Sequence, residues 1–173
     1  SSDERSISSL NPIPMTSLEK SPELLADLRA LEVFESLPDE DLQWLIDHSK
    51  YNLYQAGTNF FNPGDAVDHM QVLLRGRYVL HFQEGGNIRE LGTMEAGDVA
   101  GVLPFSRMVE ARATGRILDD LYTLELHKDC FVDMVNQSYE LTQRLVALMS
   151  NRIREFSQIR FQNEKLMALG RLS

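Results

Sequence analysis

The sequence has one cysteine, Cys130. It therefore builds no disulfide framework and no cysteine-rich zinc cluster. Four histidines, His48, His69, His81 and His127, show no HxH or HxxxH spacing, so no metal site is assigned. Positive charge is scarce: 17 Lys and Arg stand against 26 Asp and Glu, for a formal net charge of −9. A chain this acidic is a poor general binder of nucleic acid or of anionic membranes. No apolar run approaches the roughly 18–20 residues that a membrane span needs. The first residues lack the charged-then-apolar order of a secretory signal. These absences predict a cytoplasmic protein with neither a nucleic-acid nor a membrane partner. Catalytic groups are also missing. Cys130 reads as a packed small side chain. Acid pairs such as Asp119-Asp120 sit where turns and helix starts want them, so the chain is not expected to be an enzyme.

What is present suits one domain with a modest core and an appendage: 173 residues, 43% of them hydrophobic. Residues 1–20 are rich in Ser and Pro with little periodicity and read as a mobile arm. Ser21-Pro22-Glu23 has the look of a helix start, followed by Leu24, Leu25, Leu28 and Leu31 at helical spacing. Leu37-Pro38-Asp39 begins a second helix, with Leu42, Leu45 and Ile46 inward. From Tyr51 to about Leu126 short apolar segments alternate with turn residues, notably Asn62-Pro63-Gly64-Asp65, Glu84-Gly85-Gly86-Asn87 and Glu95-Ala96-Gly97-Asp98. Met70–Leu74 and Tyr78–Phe82 read as separate strands on either side of Gly76. Close spacing of short strands predicts an antiparallel roll. The fold class is α+β, mainly β: an antiparallel β-roll with N-terminal helices and a long C-terminal helix. Residues 21–137 form the domain and 138–173 the long helix.

That helix has no Pro, and no Gly before Gly170. Some 35 residues would span roughly 50 Å, more than a domain of this size needs. Leu141, Leu145, Leu148, Ile153, Phe156 and Ile159 form a stripe that resumes at Leu166, Leu169 and Leu172. Its second half would project into water unless it pairs, so a parallel two-helix coil in a homodimer is expected.

Particular residues then resemble a known family. "FESLPDEDLQWLIDHS" (Phe34–Ser49) is similar to the first helix of cyclic-nucleotide-binding domains. In "FNPGDAVDHMQVLLRGRYVLHF" (Phe61–Phe82), Gly64-Asp65 opens a turn and Gly76 closes the next strand at that family's spacing. "GDVAG" (Gly97–Gly101) resembles the segment leading into its phosphate-binding cassette. The resemblance covers about Leu31 to Phe156. A shorter one sits at "EKLMALGRLS" (Glu164–Ser173), which looks like the segment just before the phospho-accepting histidine of sensor histidine kinases.

The first resemblance implies a cassette in which a glycine is followed by a glutamate for the ribose hydroxyl, then by an arginine for the cyclic phosphate. A small residue and a Thr or Ser come after the arginine. Arginine suits because its planar fork meets two phosphate oxygens at once. Two registers compete. In one, Gly101 is the cassette glycine, Val102 replaces the glutamate with Leu103 beside it, and Ala111 replaces the arginine. Arg112 follows, and Ala113 and Thr114 match. In the other, Gly97 is the glycine, Asp98 stands in for the glutamate and Arg107 for the arginine, but the small-residue tail is lost and insertions are needed downstream. The first, which needs no gap, is preferred. Losing two charge-assisted contacts at about 1.5–3 kcal/mol each lowers affinity about a hundred- to ten-thousand-fold. Arg107, Arg112 or Arg116 could restore part of the charge, and Glu110 opposes it. Leu103, Pro104 and Phe105 are apolar enough to line or fill the ligand cavity.

The expected function is a non-enzymatic regulatory sensor with a degenerate cassette and no cofactor. It would relay a small ligand's or a partner's state through a dimeric helix to a histidine kinase core in the same chain. The alternatives are a cAMP- or cGMP-binding effector domain of a transcription regulator resembling catabolite activator protein and, least favoured, a cupin-type metal enzyme.

Overall fold

The structure is a computed structural model, and it describes residues 15–107 and 109–148. Seven antiparallel strands make one strongly bent sheet: β1 Met15–Leu18, β2 Lys50–Tyr54, β3 Asn59–Phe61, β4 His69–Glu84, β5 Asn87–Glu95, β6 Val99–Gly101 and β7 Thr114–His127. The main path runs β1-β2-β7-β4-β5, with β3 on β7 and β6 on β4. Helices α1 (Glu23–Arg29) and α2 (Asp39–His48) precede the roll. A 3₁₀ turn at Lys128–Cys130 and α3 (Phe131–Gln137) follow it. Residues 139–148 continue as a further helix, α4. This is the mainly antiparallel α+β roll read from the sequence.

Two long strands carry the architecture. The segments read as separate strands on either side of Gly76 are one 16-residue strand, β4, and Leu121–Leu126 is part of the 14-residue β7. Gly76 is a kink rather than a turn. Its φ is +88°, and a Cβ there would overlap the Asp120 carbonyl, while the β4–β7 register shifts on both sides of it. The turn at Gly85-Gly86 is the expected hairpin: Glu84 pairs with Asn87, and both glycines have positive φ.

The N-terminal reading needs correction. Met15–Leu18, placed in the unstructured arm over 1–20, is a strand paired along β2 from Met15↔Tyr54 to Leu18↔Tyr51. Its side chains are mostly exposed, so period-2 burial leaves no trace in its sequence. Ser21 also does not cap α1 with its side chain, which lies instead near the Glu23 carboxylate.

The core divides in two. One part joins Leu24 and Leu28 of α1, Leu42 and Leu45 of α2, Val72 and Leu124 of the sheet, Met134, and Leu141 and Leu145 of α4. The other, inside the far end of the roll, holds Tyr54, Phe60, Tyr78, Met94, Ile117 and Leu121. The inward positions expected at Val72, Leu74 and Val79 are all buried.

α4 is fixed at its start. The Ser138 hydroxyl donates to Asp41 Oδ2 (2.6 Å) and accepts the Leu141 N–H (3.1 Å), which is an N-cap. Asp41 and Ser138 are both buried, and Arg144 reaches the Ser36 hydroxyl. The long helix over 138–173 is thus helical through 148. The stripe from Ile153 to Leu172, the expected coil and the kinase-like "EKLMALGRLS" lie outside the described residues.

Candidate functional site

The cassette region is assembled by three close backbone approaches. The Gly64 N–H donates to the Ala111 carbonyl (2.8 Å), the Ala111 N–H to the Asp65 carbonyl (2.8 Å), and the Val67 N–H to the Val109 carbonyl (3.0 Å). The turn at Gly64-Asp65 thereby holds residues 109–111 in place, and Asp65 Oδ2 closes that turn on the Asn62 N–H. Gly101 ends β6 against β4. Its φ is +77°, and a Cβ there would overlap the His69 carbonyl, so only glycine fits. Gly97 lies in the β5–β6 turn, where the Asp98 N–H donates to the Glu95 carbonyl (3.0 Å) and the Gly97 N–H to that of Leu73 (2.9 Å).

Behind these loops the roll forms a half-open cavity of about 670 Å³. Of the first register, Gly101, Ala111, Arg112 and Ala113 line it. Val102 and Leu103 do not: they are buried and face a second, smaller hollow that also includes Arg107. Thr114 begins β7 beside the cavity without lining it. Asp98 and Arg107, the polar pair of the second register, are absent from its wall. The expectation that Phe105 lines or fills the cavity is overturned. Phe105 is 77% exposed, with φ +68°, at the tip of the loop over the second hollow. Leu103 and Pro104 are buried outside the cavity.

The cavity's electrostatics run against an anion. Among the described residues its wall carries Asp65, Asp68 and Glu125, and one guanidinium, that of the exposed Arg112. Glu125, on β7, is buried. Its Oε2 accepts hydrogen bonds from Asn52 Nδ2 (2.6 Å), the Tyr54 hydroxyl (2.6 Å) and Thr123 Oγ1 (2.9 Å). Burial, together with the charge of Glu125 and the hydrogen bond to it, holds the Tyr54 phenol well above its ordinary range. Sequence reading passed over Glu125. Alternation along "YTLELH" (Tyr122–His127) marks a strand but gives no sign that a carboxylate turns inward.

A second polar group was also missed. β4 and β7 pair His69 with His127 directly, and the donor atoms of Asp68, His69 and His127 lie within 4.8 Å of one another. Asp68 accepts from His69 Nδ1 (2.6 Å), a bond that holds the Asp68 carboxyl below the usual carboxylate range. Asp129 stands 3.4 Å from His127 Nδ1. Two imidazoles and a carboxylate could hold a divalent transition metal. Short-range histidine spacing cannot reveal this set, because strand pairing rather than sequence proximity joins its members.

No protein-family model matches the chain. It is similar to the cyclic AMP receptor protein of Thermus thermophilus, 22% identical over 129 residues, covering 74% of this chain and 60% of that protein. The chain thus spans less than two thirds of that relative's length. Among solved structures it is similar to a cyclic nucleotide-binding domain from Methylobacillus flagellatus. The TM-score is 0.70 at 16% identity, over 87% of this chain and 89% of that one. It is also similar to the N-terminal domain of a transcriptional regulator from Streptomyces coelicolor, with a TM-score of 0.59 at 24% identity, over 75% of this chain and 93% of that one. Roll, kinked long strands, cassette loop and flanking helices together make this the fold of the cyclic-nucleotide-binding domains.

Proposed function

We propose that this chain is the regulatory sensor module of a signalling protein. A small ligand enters the roll, and its occupancy is relayed through α3 and α4 to an output in the same polypeptide. The observation that carries this reading is the half-open cavity of about 670 Å³ walled in part by Ala111, Arg112 and Ala113, a volume suited to a small organic molecule. β7, which supplies Glu125 to its lining, runs directly into the 3₁₀ turn, α3 and the capped α4. The cassette is degenerate: Ala111 stands where the resemblance implies arginine, and three acidic residues line the cavity.

The output we favour is a histidine kinase core, on the resemblance of Glu164–Ser173, reached through a homodimeric helix. The second reading is the effector half of a transcription regulator, and it is favoured by the description of the Streptomyces coelicolor relative. Isothermal titration with cAMP and cGMP to millimolar ligand tests the degenerate cassette. Binding weaker than millimolar is expected, and a micromolar Kd refutes it. Sedimentation of the full chain tests the relay, because a monomer at the highest soluble concentration is incompatible with a dimeric output helix.

A further inference from the structure

A buried carboxylate lines the cavity of the proposed sensor. Glu125 is 6% exposed and lines the cavity. Three donors converge on its Oε2, whereas among the described residues Oε1 accepts from Gln71 Nε2 alone, at 3.2 Å. A carboxylate offers about four lone-pair sites over its two oxygens, so Oε1 retains capacity to accept. Among the described residues no Lys, Arg or His forms an ion pair with Glu125. A buried charge is normally matched by an opposite one, and here the described residues supply only neutral donors.

The same cavity carries a cluster of aromatic rings, and one of them, Tyr54, bonds this carboxylate. Tyr54 and Phe60 meet at 4.7 Å between ring centroids, Phe60 and Tyr78 at 5.2 Å, and Phe61 and Tyr78 at 5.7 Å. All four rings line the cavity. Ring faces attract cations, most strongly where water is excluded. Flat apolar groups pack well among them. Asp65 and Asp68 at the cavity wall and the chain's net charge of −9 add attraction of the same sign.

We propose that the cavity binds an organic cation: a flat, apolar body bearing an ammonium or amidinium nitrogen that seats on Glu125 Oε1 within the ring of Tyr54, Phe60, Phe61 and Tyr78. This inference rests on the reading of the roll as a ligand-sensing module, and it names the class of ligand sensed.

The test is calorimetric titration of the full chain with matched pairs: tyramine against 4-ethylphenol, and tryptamine against 3-ethylindole. In each pair the body is shared and only the cationic nitrogen differs. Each amine is expected to bind at least about tenfold more tightly than its neutral partner, and Glu125→Gln is expected to erase that preference. The wild-type comparison needs no variant, so it decides the matter even where Glu125→Gln does not fold. Equal binding within each pair, an amine preference that survives Glu125→Gln, or amines that fail to bind to millimolar concentration would overturn the inference. Where the neutral partners or cAMP bind and the amines do not, the sensor reading stands and only the cationic ligand falls. Where none of these molecules binds, the cationic ligand falls, and the sensor reading is judged by its own test, the oligomeric state of the full chain.

Discussion

Ser138 is where α2 holds the start of α4, and its removal has a calculable cost. The hydroxyl makes two bonds at once. It donates to the Asp41 carboxylate at 2.6 Å and accepts from the Leu141 N–H at 3.1 Å, with both residues of the side-chain pair buried. A hydrogen bond to a charged group contributes about 1.5–3 kcal/mol, and loss of an N-cap costs about 1 kcal/mol. Ser138→Ala is therefore expected to destabilise the chain by about 2–4 kcal/mol, or to lower Tm by roughly 4–16 °C for a chain of this size. The loss should be local as well as global. Amide protection in residues 139–148 should fall before that of β4 and β7, because the helix loses its tether to α2 while Leu141 and Leu145 stay packed. Urea denaturation supplies the free energy and hydrogen exchange locates it. Ser138→Thr keeps the hydroxyl and should recover part of the loss. A Ser138→Ala variant within about 0.5 kcal/mol of wild type, with α4 protection unchanged, would refute the view that this junction anchors α4.

Other consequences follow from the same geometry. Gly101→Ala places a Cβ against the His69 carbonyl at positive φ and should cost more than about 3 kcal/mol or abolish folding. Gly85→Ala, also at positive φ but in open space, should cost only about 1 kcal/mol, and urea midpoints separate the two. Tyr54 has a folded-state pKa above its unfolded value of 10.0. The unfolded chain therefore loses that proton first, and the associated stability is complete below pH 10 and lost as pH rises beyond it. Denaturation between pH 8 and pH 11 should show a steeper alkaline decline in wild type than in Tyr54→Phe, and parallel slopes would contradict the assignment. For Asp68 the sign reverses. Its folded-state pKa is lowered, chiefly by His69, so its contribution is present above the unfolded value and lost as pH falls through the folded one. The pair is half exposed, so Asp68→Asn should remove no more than about 1 kcal/mol at neutral pH. A carboxyl NMR titration that finds Asp68 at its unfolded value would refute it.

Much of the roll was legible because its marks are local. Gly85-Gly86 forms a hairpin through two neighbouring residues, and the leucines of α1 and α2 bury at helical spacing. Gly64, Gly97 and Gly101 all sit at positive φ. What failed was whatever depends on distant parts of the chain. The Gly76 kink reads as a strand end until the Asp120 backbone is seen pressed against it. The strand at Met15–Leu18 is held by pairing to β2 rather than by burial. Phe105 is apolar and lies beside the cassette glycine in sequence, yet its loop turns it outward. Glu125 and the His69–His127 pair become visible only through the β4–β7 register, which sequence spacing does not encode.

The same register explains how occupancy could travel under the proposed function. Glu125 pairs with Gln71 across β4–β7 and with Lys50 across β2–β7, and its side chain gathers donors from β2, β4 and β7. A ligand drawing on this carboxylate competes with bonds that tie the three strands together. Two residues beyond it β7 ends at His127, where the 3₁₀ turn starts and the Lys128 N–H bonds the Asp68 carbonyl. α3 then leads to the Ser138 cap on Asp41. Cavity and helix are thus joined by one short, continuous run of backbone, flanked by a buried polar group at each end. A ligand that shifts Glu125 should change hydrogen-exchange protection at residues 128–141 before it changes that of the β4–β5 hairpin tip. Protection changing only at the tip would mean that the helix does not read the cavity.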